Sequence, residues 1–294
     1  MRALRLAAVA ICTLLVAGVA VAVYVADDAT RADRSAVTRS PRVLSHLTEP
    51  VSFRTADGLT LRGWYVPASR EKAAILVHGK DTSRAASDHA IRVATWLREA
   101  GYTLLLFDMR GHGESEGERF SLGQHERKDV AAAVDLLVEF GFAPGRIVVV
   151  GESMGAAVAI QGVALRPDVA GVVADSAYAS GRAIVDEAGP GETGLPDWYT
   201  GAIVLAARLL YGLDVNAVDP AAVVRANPTM PFLFIHCDGD TLIRPHHARA
   251  LRDASRDPRS RLWLAPGCGH VGASLRHPED YRVQLIGFVE SVLR

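Results

Sequence analysis

The chain lacks what several function classes require. Three cysteines in 294 residues, one of them inside an apolar N-terminal run, are too few for a disulfide framework. It contains no His-x-x-x-His and no paired-cysteine spacing, so no metal site is expected. No dinucleotide fingerprint, a Gly-rich turn between an expected strand and a helix, is present, and no Gly-Lys-Ser/Thr phosphate loop, so no cofactor is expected either. The formal net charge is −1, and from Val43 onward 26 basic residues stand against 30 acidic ones, a net of −4 that argues against a nucleic-acid partner. No repeat and no low-complexity tract is present. With 49% hydrophobic and 22% charged residues, disorder is excluded, and the length allows one large domain or two small ones.

The apolar content is unevenly spread. Residues 6–26 carry no charge, and as a helix at about 1.5 Å per residue they span roughly the 30 Å of a bilayer core. Arg2 and Arg5 precede them, and Tyr24 sits where an interfacial aromatic is expected. Residues 1–26 therefore read as a single-pass signal anchor. The alternative is a secreted protein cleaved after Ala20-Val21-Ala22, but the apolar part is longer than an ordinary signal and no polar stretch precedes that site. A buried core helix is a third reading, which the lack of a polar face disfavours. Residues 27–44 read as a polar linker, and an extracytoplasmic domain is the expected topology for such an anchor.

From residue 45 on, short apolar runs alternate with helical patterns. Residues 51–55 and 59–66 flank Asp57-Gly58, a hairpin signal. Strands are expected at 73–77, 102–107, 146–150, 169–174, 231–236 and 261–264. Helices are expected at 84–100, 124–140, 154–165, 245–255 and 278–293. This alternation predicts an α/β fold: a mostly parallel sheet with antiparallel edge strands at its N-terminal side and helices on both faces. Residues 176–230 break the pattern. They begin rich in Gly and Pro, continue as an apolar run over 198–211, and are too long for a crossover loop, so they read as a short helical lid.

The motif that carries chemistry is Gly151-Glu152-Ser153-Met154-Gly155, placed after one expected strand and before a helix. A serine on such a turn is sharply exposed, and the residues two before and two after must be very small, a need that Gly151 and Gly155 meet. A serine nucleophile needs a base and an orienting acid. His270 follows the last expected strand. Asp238 and Asp240 follow the strand before it, and Asp175 ends a third strand, so all three are candidate acids.

The order Ser153, Asp240, His270 resembles that of the α/β-hydrolases of serine type, and the resemblance covers about residues 50–294. It is carried by further motifs. His78-Gly79-Lys80 resembles the oxyanion loop. Asp108-Met109-Arg110-Gly111-His112-Gly113-Glu114-Ser115 resembles the D-x-R-G-x-G-x-S turn, and Ser121-Leu122-Gly123-Gln124 with Glu126 and Asp129 resembles the start of the next helix. The family spacing His-Gly-x-x-Asp selects Asp240 as the acid, although Cys237 stands in place of that glycine. The resemblance implies acyl transfer to water, with backbone N–H groups of Lys80 and Met154 as the oxyanion hole. An N-terminal anchor ahead of this domain is similar to a widespread group of membrane-anchored α/β-hydrolases with short lids.

Other reactive residues receive plainer readings. His78 braces the oxyanion loop and His112 orders its turn. His246 and His247 read as surface or loop-packing residues, and His89, His125 and His277 as solvated. Cys268 reads as a small packing residue, with pairing to Cys237 left open. The expected substrate is an acyl ester or thioester, with a lipid-like acyl chain suggested by the apolar lid run and the membrane contact through residues 6–26. Peptide hydrolysis, and a non-catalytic binding role on the same fold, are the competing readings. Nothing in the sequence speaks to oligomeric state.

Overall fold

An antiparallel pair opens the sheet. β1 (Glu49–Arg54) and β2 (Thr60–Val66) turn through Asp57-Gly58, where Gly58 takes a φ of 91° that favours glycine. Six strands follow: β3 (Ala73–Val77), β4 (Thr103–Phe107), β5 (Ile147–Glu152), β6 (Gly171–Asp175), β7 (Phe232–Cys237) and β8 (Arg261–Ala265). In the computed structural model, which describes residues 1–293, they form one eight-stranded sheet of order β1-β2-β4-β3-β5-β6-β7-β8. The pairs β1–β2 and β2–β4 are antiparallel and all others parallel. Strands β3 to β7 are buried along their whole length, which requires cover on both faces.

The helices supply that cover. After an N-terminal helix α1 (Arg2–Thr30), α2 (Asp88–Glu99), the short α9 (Ala273–Arg276) and the C-terminal α10 (Pro278–Val292) pack on one face. Helices α3 (Arg127–Glu139), α4 (Met154–Val163), α7 (Pro220–Ala226) and α8 (His246–Ala254) pack on the other. Strand β3 shows the two-residue period that makes this work. Ala73, Ile75 and Val77 enter the core under α3 and α4, while Ala74 and Leu76 enter the core under α2 and α10. The expected strands and helices thus all appear, with ends displaced by a few residues.

Two segments depart from expectation. Within 176–230 the Gly-Pro-Gly stretch is helical: α5 (Gly181–Thr193) runs through Pro190 and ends on Gly194 in the left-handed conformation. Helix α6 (Thr200–Tyr211) follows and ends the same way on Gly212. Helix α7, however, packs with the core helices and buries Val224, so the part that overhangs the strand ends is α5 and α6.

The second departure is at the N-terminus. Helix α1 is long and apolar enough to cross a membrane or to serve as a signal sequence. It continues four residues past the expected boundary at 26, and Ala22 and Ala26 are buried. Ala26 packs with Ala207 and Leu213 at the end of α6. Asp27 binds the guanidinium of Arg119 and the hydroxyl of Tyr211, and Arg119 stacks on the Tyr211 ring at 3.6 Å. Residues 31–44 are strapped to the domain rather than free. Arg34 donates to the carbonyls of Gly113, Ser115 and Gly117, Ser35 donates to the Asp81 carbonyl, and Arg39 pairs with Asp88.

Candidate active site

Ser153 stands between β5 and α4 with φ 54° and ψ −124°, a conformation a non-glycine residue adopts only under strain. Close packing enforces it. A β-carbon on Gly151 would lie 2.7 Å from the Ala156 Cα, and one on Gly155 would lie 2.7 Å from the Val77 carbonyl carbon. Both obstacles are backbone and cannot swing aside. The turn therefore presents Ser153 at the carboxyl edge of the sheet. The first amides of α4 have no acceptor within the helix, and the positive end of its dipole lies beside the serine.

His270 follows β8, and its Nε2 lies 2.8 Å from Ser153 Oγ. Its Nδ1 lies 2.8 Å from Asp240 Oδ2. Asp240 is buried and its Oδ1 accepts the amides of Leu242 and Ile243, each at 3.0 Å. Burial pushes this carboxyl up. The hydrogen bond and charge of His270, the Ile243 amide and His236 outweigh burial and leave it below its ordinary pKa. His236 clamps the same loop by donating Nε2–H to the Ile243 carbonyl at 2.6 Å. With Asp240 ionised, the His270 proton belongs on Nδ1, so Nε2 is free to accept one from the Ser153 hydroxyl.

The competing carboxylates lie elsewhere. Asp238 accepts the Gly267 amide at 2.8 Å, and Asp175 accepts the Ser176 hydroxyl at 2.9 Å. Cys237, at the position where the family spacing has glycine, is disulfide-bonded to Cys268. The bond joins the loop carrying Asp240 to the loop carrying His270, and the Gly239 amide adds a hydrogen bond to the Cys268 carbonyl at 3.2 Å. The pairing left open in the sequence is thus present, and Cys268 is not merely a packing residue.

The His78-Gly79-Lys80 loop abuts the serine. A β-carbon on Gly79 would lie 3.3 Å from Ser153 Cβ. His78 donates Nδ1–H to the Gly79 carbonyl at 2.7 Å and accepts the Met109 amide on Nε2 at 3.0 Å. Burial pushes its pKa down to about 3, so the ring is neutral. Because a peptide is planar and trans, turning the Gly79 carbonyl toward His78 sends the Lys80 N–H the opposite way. His112 donates from Nδ1 to the Arg110 carbonyl at 2.9 Å in the adjoining turn.

The comparisons with known proteins agree with the fold that carries these residues. The family model described as "Serine aminopeptidase, S33" matches residues 68–228, more than half of the chain. The chain belongs to this family of α/β-hydrolases. The Escherichia coli (strain K12) protein YfhR is 30% identical over 253 residues, covering 83% of this chain and 81% of that one. Among solved structures, the Pyrococcus furiosus esterase Pf2001 superposes with a TM-score of 0.75 at 26% identity, covering 90% of this chain and 98% of that one. The α/β-hydrolase GrgF from Penicillium sp. sh18 gives 0.67 at 22% identity, a likeness of fold, over 84% of this chain and 99% of that one. The family model and the likeness to the Pyrococcus furiosus esterase place the chain among esterase-like α/β-hydrolases.

A cavity of about 200 Å³ opens beside Ser153 under α5 and α6. Phe120, Leu122, Met154, Ile184 and Ile203 make its lining apolar.

Behind the serine lies a cluster that sequence reasoning missed. Glu152 and Asp175 are buried at the ends of β5 and β6. His89, expected in solvent, is buried with them: its Nδ1 lies 2.7 Å from Ser274 Oγ and its Nε2 3.3 Å from Glu152. Burial and the neighbouring Asp175 push Glu152 up to about 7, and burial pushes Asp175 up to about 6. The available signal was a charged residue inside G-x-S-x-G, at the end of an otherwise apolar strand.

Glu187 of α5 meets His246 and His247 of α8. His246 Nε2 is 3.1 Å from Glu187 Oε1, and His247 Nε2 is 3.7 Å from it. A metal reading conflicts with the tautomer. His247 Nδ1 accepts the Ala179 amide at 3.2 Å, so the neutral ring carries its proton on Nε2 and offers a donor to the carboxylate rather than a ligand lone pair.

Proposed function

We propose that the protein is a serine hydrolase that cleaves carboxylic ester or thioester bonds through an acyl-enzyme on Ser153. The observation that carries this reading is the unbroken chain from Ser153 through His270 to Asp240, with both links at 2.8 Å. Ser153 Oγ attacks the acyl carbonyl while His270 takes its proton. Asp240 holds the imidazole in the right tautomer and stabilises its charged form. The N–H groups of Lys80 and Met154 receive the oxyanion, a contribution of about 10²–10³ in turnover per donor. His270 then protonates the leaving group, and water enters by the reverse steps. Similarity to the Pyrococcus furiosus esterase favours esters over amides as the bond cleaved.

The apolar cavity beside Ser153 and the N-terminal helix favour an acyl-chain substrate presented at a membrane, with α1 as a single-pass anchor. The Cys237–Cys268 disulfide favours an oxidising, extracytoplasmic compartment for the domain. The test is a panel of p-nitrophenyl esters of increasing acyl length beside peptide amides, run on the full chain in detergent. The expected result is ester turnover with an optimum above acetate. Activity on amides alone would replace this reading with a peptidase.

A further inference from the structure

The apolar cavity accounts for only one half of an ester. At about 200 Å³ it falls short of the ~300–1,000 Å³ of an ordinary small-molecule site, and its lining suits an acyl chain. A second chamber of about 510 Å³ adjoins it. Ala29, Lys80, Glu192 and Thr193 border both, so the two share this wall next to the oxyanion loop. The outer chamber differs from the inner one in chemistry. Its charged lining is Asp28, Arg31, Asp33, Lys80, Asp81 and Glu192, four carboxylates against two cations.

The two cations are already engaged. Lys80 Nζ lies 3.1 Å from Glu192 and 3.3 Å from Asp81, and Arg31 Nε lies 2.9 Å from Asp27. The chamber wall is also built by the N-terminal helix: Tyr24, Val25, Asp28 and Ala29 line it, at the point where the uncharged run ends. The clamp of Asp27 on Arg119 and Tyr211 fixes this end of α1 against α6, so the wall is part of the folded domain.

We propose that this outer chamber is the leaving-group site, and that it selects acyl esters whose alcohol or thiol half is uncharged or cationic over those whose leaving half is anionic. The proposal rests on Ser153 being the nucleophile. In the step concerned the Ser153 Oγ–acyl bond forms and the carbon–sulfur or carbon–oxygen bond of the substrate breaks. The departing thiol or alcohol takes its proton from His270 and lies in the outer chamber. A carboxylate, sulfonate or phosphate there would face the surplus of negative charge, whereas an ammonium would be attracted by it.

The test uses three butyryl thioesters of similar size with the full chain in neutral detergent. Their thiol halves are thiocholine (cationic), propanethiol (neutral) and 3-mercaptopropanesulfonate (anionic), and the released thiol is read optically. At low salt, kcat/KM for the cationic ester should exceed that for the anionic one by about tenfold, an electrostatic effect of the order of one close charge pair in bulk water. The ratio should fall toward one in about 1 M salt, where the Debye length is about 3 Å. Asp28→Asn should lower the ratio and Asp28→Lys lower it further, with the ratio to the neutral ester correcting for any general loss of activity. Equal rates on the cationic and anionic esters at low salt, or a ratio unmoved in both Asp28 variants, would overturn the proposal while p-nitrophenyl butyrate is still hydrolysed. Loss of all ester turnover in the wild type would overturn the hydrolase reading itself.

Discussion

Glu152 and Asp175 are direct partners across β5 and β6, two buried carboxyls at the ends of neighbouring parallel strands, immediately behind Ser153. Both have pKa values raised by burial, and Glu152 further by its neighbour. An acid raised in the folded state lends stability at low pH that is lost as pH climbs from its unfolded value through its folded one. For Glu152 that window runs from 4.5 to about 7. For Asp175 it runs from 3.8 to about 6.

Glu152→Gln removes the Glu152 part of this loss. Thermal midpoints of the full chain, followed by circular dichroism in detergent from about pH 5 to about pH 8, should fall more steeply with rising pH for wild type than for the variant. Parallel curves would mean that the pair does not titrate as its burial implies.

The elbow glycines make a second prediction about contact rather than charge. Gly155→Ala forces a methyl onto the β3 backbone, and overpacking against a rigid neighbour should cost about 3 kcal/mol or more. Gly191→Ala on α5 meets no heavy atom within 4 Å, so it should be neutral or gain up to about 1 kcal/mol from helix propensity. Denaturant midpoints of the two variants decide the matter, and similar midpoints would contradict the packing described for the turn.

The disulfide predicts a thiol count. The denatured, unreduced chain should titrate one thiol, Cys12, and the reduced chain three. Closing a span of 31 residues should stabilise the domain by about 4 kcal/mol, lost in Cys237→Ser with Cys268→Ser. Because the bond ties the Asp240 loop to the His270 loop, the double variant should also lose the proposed ester turnover at temperatures below its melting midpoint. Three thiols before reduction would remove the bond and the inference about compartment.

Much of the site was legible because its parts are local. The strand–turn–helix around Ser153 follows from an apolar run, two obligatory glycines and a helix pattern, each readable within about ten residues. His270 and Asp240 fall where the last two parallel strands end, which is where such sheets place their chemistry. The choice of Asp240 over Asp238 and Asp175 needed family spacing, since all three end strands. What stayed hidden depends on contacts between distant segments. His89 and Ser274 are 185 positions apart, and Asp27 and Tyr211 are 184 apart. No local period announces such pairs. The same holds for α1, whose uncharged run reads as an independent anchor although its last turns are part of the domain's wall. The Gly-Pro-Gly stretch around Pro190 shows no helix pattern, yet α5 runs through it and stops four residues later on a left-handed glycine.

The most direct test of Ser153 as the nucleophile is covalent. The full chain and its Ser153→Ala variant are treated with a fluorophosphonate probe, and the adduct is located by peptide mass spectrometry. Wild type should carry one probe on Ser153 and the variant none, with labelling of the wild type suppressed in His270→Ala. Equal labelling of wild type and Ser153→Ala, or an adduct on another residue, would contradict the catalytic assignment from which the rest follows.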